Sequence, residues 1–374
     1  MANLAWKNLV YDKVRLSVTL TGIVFALVLV LIQFGLFLGF LDTTANIVAA
    51  SGADLWITAP GIPHVNGATA IPESRRYKAL SVAGVERAEK HNIQFVNWKL
   101  PSGAQEAVQI VGFELNSGMG GPWNIVEGSV DDLRGEDTVM VDELYKEKLG
   151  VKGIGHVAEI QGKRARVVGF TRAIRSFTTS PYVFTSFKNS QNYARLGPDE
   201  MLFLLVKLAP GANAAAVQKA LQETIPGVDV YTNAEMRRKT QNYWLFSTGA
   251  GVTTLMGAAL GLLVGMVVVA QTIYASTVDH IREFGTLKAM GAGNGYVYKV
   301  IIQQALISAG FGYVLAIGAG YLVAKGSETG NAAILLPPEM ALGTLVLAAL
   351  MCIGASVISI RKATTIDPAL VFKG

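Results

Sequence analysis

Residues Leu16–Leu41 read LSVTLTGIVFALVLVLIQFGLFLGFL, with no charge between Arg15 and Asp42. A membrane-spanning helix needs about 20 predominantly apolar residues, and this run exceeds that. Three more runs qualify: Leu245–Val278 up to Asp279, Val300–Ala324 between Lys299 and Lys325, and Met340–Ile360 between Glu339 and Arg361. The second is long enough to predict a helical stalk continuing beyond the bilayer at one end. Basic residues ahead of the first run invite a signal-peptide reading. Its length exceeds the apolar core of about 7–15 residues in such a peptide, so a retained anchor fits better.

The whole chain has 374 residues, 51% hydrophobic and 16% charged, and a mean hydropathy of +0.39. Soluble domains carry about 25% charged residues, so the chain is too apolar to be wholly soluble. It is also too charged to lie wholly in lipid, and too hydrophobic to be disordered. The net charge of +5 could hint at nucleic acid, but its distribution says otherwise. Lys7, Lys13 and Arg15 precede the first run; Arg282, Lys288 and Lys299 separate the second from the third; Arg361, Lys362 and Lys373 follow the fourth. Against these nine stand only Asp12, Asp279, Glu283 and Asp367, and the remainder of the chain is balanced. Basic residues mark the cytoplasmic side of short membrane loops. Both termini are therefore expected in the cytoplasm and residues 42–244 outside it. The excess is an orientation signal, and no nucleic-acid partner is expected.

The expected fold is an α-helical membrane protein with four transmembrane helices plus a large α+β extracytoplasmic domain between the first and second helices. Its segments are a cytoplasmic amphipathic helix (1–15), the first span (16–41), the outer domain (42–244), the second span with its stalk (245–278) and a cytoplasmic loop (279–299). The third span (300–324), a short outer loop (325–339), the fourth span (340–360) and a cytoplasmic tail (361–374) complete it. Within the outer domain, Ala53–Thr58, Glu106–Phe113, Thr138–Val141, Arg164–Phe170 and Leu202–Leu208 read as strands. Glu73–Val82, Glu143–Leu149 and Ala212–Thr224 read as helices. Ala83-Gly84-Val85-Glu86 and Pro226-Gly227-Val228-Asp229 both end a helix and lead to a strand. That echo suggests internal pseudo-symmetry, although a common helix-stop pattern would produce it too. The single cysteine, Cys352, falls in the fourth span, so the outer domain must hold together by core packing without a disulfide. His64, His91, His156 and His280 show no ligand spacing, and no metal site is expected.

Absences narrow the function further. No Asp, Glu, Lys, Arg or His lies inside any of the four runs, whereas ion-coupled transporters place such groups there to bind the driving ion. The strongly polar residues in the runs are Gln33, Gln271, Gln303 and Gln304, which fit hydrogen bonding between helices. Gly162-Lys163-Arg164 is the nearest fragment to a phosphate-binding loop, and it lacks the pattern. Neither a Gly-x-Ser-x-Gly elbow nor a His-Glu-x-x-His helix is present. A non-catalytic subunit with no cofactor of its own is the expectation.

Three features are positive. Gly257, Gly261 and Gly265 recur every fourth residue in the second run, and Gly35 and Gly39 repeat the spacing in the first. Small residues on one face let helix backbones approach closely in lipid, so these five are read as packing positions in a bundle or a dimer seam. Before the first run, Trp6, Leu9 and Val10 share a helical face, with Lys7, Asp12 and Lys13 elsewhere. That suits an interfacial amphipathic helix or a plain flank with a belt tryptophan. In the second cytoplasmic loop, a short charged helix over Asp279–Met290 would stop at Gly291. Ile281, Phe284, Leu287 and Lys288 share one face of it and could dock in a groove on a soluble partner; taken alone, the stretch could equally be an interfacial loop.

The stretch Arg282-Glu283-x-Gly285-x-Leu287-Lys288-Ala289-Met290-Gly291-Ala292 resembles the signature of FtsX/MacB-type permeases of ABC transporters, the type VII exporters. The beginning, Leu4-Ala5-Trp6-Lys7-Asn8-Leu9, is similar to their N-terminal interfacial helix. Within the family, Lys13-Val14-Arg15-Leu16 and Gly22-Ile23-Val24-Phe25-Ala26 look most like DevC-type permeases. The resemblance implies a MacB-like core for the outer domain and two permease copies, most simply a homodimer, on a cytoplasmic ABC ATPase dimer. That separate ATPase would bind ATP and magnesium. Ile281, Arg282, Glu283, Phe284, Gly285, Leu287, Lys288, Ala289 and Gly291 would couple to it. ATP-driven movement would reach the outer domain, which would expel or extract a lipid, glycolipid, peptide or drug-like substrate. A periplasmic adaptor and an outer-membrane channel would complete the route in a Gram-negative cell, with the chain in the inner membrane. The alternative within the same resemblance is an FtsX-like regulator that activates an external cell-wall hydrolase. The length of residues 42–244 favours export.

Overall fold

A computed structural model describes Trp6, Tyr11 and residues 13–178, 180–279, 281–327 and 334–364. It resolves two compact units, one built from long apolar helices and one from Phe40–Gly251 between the first two of them.

The first helix, α1 (Lys13–Thr43), is unbroken. A single turn, α2 (Asn46–Ala49), then leads to β1 (Leu55–Thr58). The chain continues through β2 (Ile71–Pro72), α3 (Arg75–Leu80), β3 (Val85–Lys99), β4 (Gln105–Phe113), β5 (Ile125–Glu127) and β6 (Thr138–Asp142). Next come β7 (Val157–Ile160), β8 (Lys163–Thr171), β9 (Tyr182–Ser186), α4 (Phe187–Ala194), β10 (Glu200–Met201) and β11 (Phe203–Leu208). It closes with α5 (Ala214–Thr224), β12 (Asp229–Thr232) and α6 (Asn233–Asn242).

One end of the main sheet runs β12-β1-β11-β3, every neighbour antiparallel. With α3 before β3 and α5 before β12, this is a split β–α–β arrangement. Gly84 (φ +92°) and Gly227 (φ +69°) occupy equivalent turns, each releasing its helix into an outer strand in a conformation glycine adopts readily. The echo seen in the sequence is thus a repeated unit, with β3 and β12 flanking the β11–β1 pair. The fifteen-residue β3 outruns this lobe, and its far half starts a second one through β4, β9, β6, β8 and β5. Parallel pairs β4–β9 and β6–β8 occur there. Trp56, Phe203 and Leu221 lie fully buried in one apolar cluster, and Trp98, Tyr145 and Phe170 in another.

The helix expected over Glu143–Leu149 is a correction: only a short 3-10 turn, Glu143–Tyr145, forms. The buried Asp142 carboxylate accepts from Leu144 N (3.0 Å), Ile174 N (2.8 Å) and Thr171 Oγ1 (2.8 Å), tying the segment to a distant loop. Burial nevertheless pushes the Asp142 pKa up, against these bonds.

The exit from this unit is strongly fastened. Thr232 and Glu235 form a capping box at α6. Asn233 Nδ2 donates to Val48 O (2.9 Å) and Ala53 O (3.0 Å), Gln241 Nε2 donates to Leu41 O (2.8 Å), and Arg237 lies 3.5 Å from Asp42. One wide π-helical turn, Tyr243–Ser247, follows. His64 stacks on Tyr243 (4.1 Å between ring centres) and Phe177 packs on Trp244 (4.2 Å).

The second span is also corrected at its start. Its helix, α7 (Ala250–Asp279), begins five residues after Leu245, because Gly249 at φ +75° breaks the chain's helical course. The helix preceding Gly249 in the chain is α6 with its π turn. Three helices remain: α8 (Ile281–Ala289), α9 (Asn294–Ser327) and α10 (Pro338–Thr364). Here α9 starts before the expected Val300, since Val297, Val300 and Ile301 form a buried cluster that draws its first turns into order. Similarly, α10 starts before Met340, with Pro338 in its first turn, where a missing N–H costs nothing. Of the proposed N-terminal amphipathic helix, Trp6 is helical and lies 5.7 Å from the Phe311 ring. Lys7, Leu9, Val10 and Asp12 lie outside the described residues.

Candidate coupling helix and packing glycines

The loop after the second span contains the predicted short helix, α8, over Ile281–Ala289. It begins later than the expected Asp279, which instead ends α7, and His280 lies outside the described residues. It ends at Ala289, one residue before the expected Met290, with Gly291 just beyond. Gly291 has φ +92°, Met290 N donates to Thr286 O (3.0 Å) and Gly291 N to Lys288 O (2.9 Å). That is a left-handed stop, which glycine accepts without the Cβ penalty. Acidic Glu283 in the first turn and basic Lys288 in the last both complement the helix dipole.

On this helix Gly285 is buried, Ile281 and Lys288 are half-buried, and Glu283, Thr286 and Met290 are exposed. The side chains of Arg282, Phe284, Leu287 and Ala289 lie outside the described residues, so the proposed docking face is visible at Ile281 and Lys288 alone. One side of α8 meets α9.

The packing glycines meet specific neighbours inside one copy of the chain. A Cβ on Gly257 would lie 3.5 Å from Gln33 Oε1, one on Gly261 3.1 Å from Gln33 Cγ, and one on Gly265 3.3 Å from Ala26 O. The stripe therefore seats α7 against α1, close enough at Gly265 to touch backbone. Gly35 is met from another direction: Leu335 N donates to its carbonyl (3.0 Å), and a Cβ there would lie 2.7 Å from Ile334 Cγ2. Gly39 is buried.

Sequence reasoning missed a third small-residue stripe, Ala305, Ala309, Gly312, Ala316 and Gly320 on α9, all buried. Gly312 is packed under Ile23, and a Cβ on Gly320 would lie 3.2 Å from Leu31 Cδ1. Its signal was available, being small residues spaced by three and four. Both stripes converge on α1, which carries the large, fully buried side chains of Ile23, Leu27 and Leu31.

In the other unit, a cleft of about 450 Å³ opens above Phe113 and Phe187. Lys90 in its wall lies 4.3 Å from the Phe187 ring centre and 3.0 and 3.3 Å from Glu73 and Glu114. Its lining comes from separate strands and loops, which is why no pocket was legible in the sequence.

A membrane bundle of four long apolar helices, interrupted after the first by a two-lobed α+β unit, is the layout of a MacB-type permease. Residues 16–224 match the MacB-like periplasmic core domain, and residues 238–368 match the FtsX-like permease C-terminal family. The chain belongs to the FtsX/MacB-type ABC transporter permeases. An uncharacterized ABC transporter permease of Mycobacterium tuberculosis is 23% identical, with 99% of both chains covered. Another from Methanocaldococcus jannaschii is 25% identical over 46% of this chain and 44% of that one. Among solved structures, the periplasmic region of MacB from Actinobacillus actinomycetemcomitans is similar at 13% identity and TM-score 0.40. It covers 51% of this chain and 95% of that one. The extracellular domain of the Gram-positive transporter YknZ is similar at 12% identity and TM-score 0.37, covering 48% and 99%.

Proposed function

We propose that this permease is the membrane subunit of an export system driven by a separate cytoplasmic ATPase, which alone binds ATP and magnesium. The observation that carries the reading is α8: a short helix closed by Gly291, with Glu283 exposed and Gly285 buried, in the family's loop signature. Residues Ile281–Gly291 enter a groove on the ATPase, in the manner of a helix docking by one face. Movement passes along the spanning helices to the outer unit, which expels or extracts an amphiphilic or peptidic substrate. Two permease copies act together, and both termini lie in the cytoplasm of a cell whose plasma membrane holds the chain. In a double-membraned cell a periplasmic adaptor and an outer-membrane channel extend the path.

Copurification tests the reading. The wild-type chain should retain an ABC ATPase whose turnover rises in its presence. Glu283→Lys, which reverses charge at the exposed position, and Gly285→Pro, which breaks a helix interior at a cost of about 3 kcal/mol, should both lose the ATPase while still inserting. Retained association and transport in both variants would refute α8 as the coupling element.

A further inference from the structure

The main sheet ends at β12, which pairs on one side with β1 and on the other with no strand among the described residues. An open edge presents unpaired N–H and C=O groups to any extended chain and invites strand addition. In an antiparallel strand, alternate residues turn these groups to opposite sides. Asn233 N is bonded to Asp54 O, just ahead of β1, so Val228, Val230 and Thr232 face outward. Each outward group from Val228 O to Thr232 N is taken, and by a side chain. Gln222 Nε2 donates to Val228 O (2.5 Å), and Gln222 Oε1 accepts from Val230 N (2.9 Å). Gln218 Nε2 donates to Val230 O (2.9 Å) and to Glu235 Oε2 (2.8 Å), which also accepts from Thr232 N (2.8 Å). The bond from Thr232 holds the Glu235 pKa below the usual carboxylate range, so this acceptor stays ionised.

A carboxamide carries the donor and the acceptor of a peptide group, so Gln222 does for β12 what a residue of a neighbouring strand would do. Gln218 and Gln222 stand one turn apart on α5, each beside a residue of its buried face, Val217 and Leu221. Packing the helix thus delivers both carboxamides to the edge. Gln222 and Glu235 are exposed, so water could satisfy the same backbone groups. What the side chains add over water is an occupancy that an incoming strand must displace. At the other end of the sheet, β5 has three residues and an irregular register with β8, too short to template a partner. We infer that Gln218, Gln222 and Glu235 form a side-chain cap that closes the β12 edge against strand addition. The chain it excludes is above all a second copy, whose own β12 offers the same edge across a two-fold axis. A partner of the outer unit therefore meets its faces and loops, and not this edge.

The test uses the full-length chain in detergent. Gln218→Ala combined with Gln222→Ala should speed hydrogen exchange of the Val230 amide by about threefold to tenfold at low protein concentration, read by fragmentation mass spectrometry. As concentration rises, the double variant should sediment as species larger than those of wild type, and Val230 should regain protection in them. Gln222→Lys also removes the acceptor for Val230 N but leaves a charge on the edge, which deters strand pairing. Its Val230 amide should exchange quickly with no added association. Exchange as slow in the double variant as in wild type would overturn the cap. Fast exchange with no larger species, or equal association in Gln222→Lys, would overturn its guarding role.

Discussion

His91 offers the sharpest quantitative test of the outer unit. The ring is fully buried beside Trp56 (5.8 Å between ring centres), and neither nitrogen has a hydrogen-bond partner among the described residues. Burial depresses its pKa from 6.5 to about 3. The folded state therefore holds the neutral ring, while the unfolded chain takes up a proton below about pH 6.5. Stability contributed by this residue is intact above pH 6.5 and is lost as pH falls toward 3. The slope is about 1.4 kcal/mol per pH unit, so about 2.7 kcal/mol should be gone at pH 4.5. His91→Leu removes the titrating group without leaving a polar orphan. Urea unfolding of wild type and variant, followed by tryptophan fluorescence, should diverge by that amount between pH 7.5 and 4.5. Taking the difference between the two proteins cancels the contributions of His64, Asp142 and Glu89, whose pKa values burial also shifts. A gap unchanged with pH to within about 0.5 kcal/mol would refute the reasoning.

Other tests are shorter. Gly265→Leu should destabilise the bundle by about 1–3 kcal/mol through overpacking against Ala26, whereas Gly310→Ala, which meets open space, should be neutral; detergent unfolding separates them. Asp142→Asn should cost about 1–3 kcal/mol, because an amide nitrogen would face one of the donors that now converge on the carboxylate; chemical unfolding reads the loss. A reporter inserted after Ser102, at the exposed β3–β4 turn, should report an external position, and one after Gly293 a cytoplasmic one; the reverse would overturn the orientation.

The spans were legible because absence of charge over a long run has one physical explanation. Strands β1, β4, β6, β8 and β11 were legible as apolar runs with buried faces. By contrast, β3 reads VERAEKHNIQFVNWK, where Glu86, Arg87, Glu89 and Lys90 mask a strand whose charges are mostly satisfied by ion pairs. Likewise α6, NAEMRRKTQN, buries only Met236 and Thr240 and is held by its cap and long-range bonds, which no local pattern announces. The Glu143–Leu149 error had the opposite cause: local helix propensity lost to the Asp142 turn. In the loop after α7 the glycine stop was readable from composition, but the burial of Gly285 depends on what α8 packs against. The glycine stripe signalled close packing without naming its partner, and only the geometry assigned it to α1.

The order of the sheet has a consequence for how the chain is made. The first strand, β1, lies between β11 and β12, paired at Leu55 with both Val206 and Thr232. It emerges early and has no permanent neighbour until nearly the whole inserted segment has followed. At about 5–20 residues per second of synthesis, that wait lasts roughly 10–35 s. Throughout it, Trp56 and Ile57, fully buried at the end, stay uncovered. The lobe is thus completed from its last strand, just before the second span begins, and membrane insertion of that span and closure of the lobe become nearly simultaneous events.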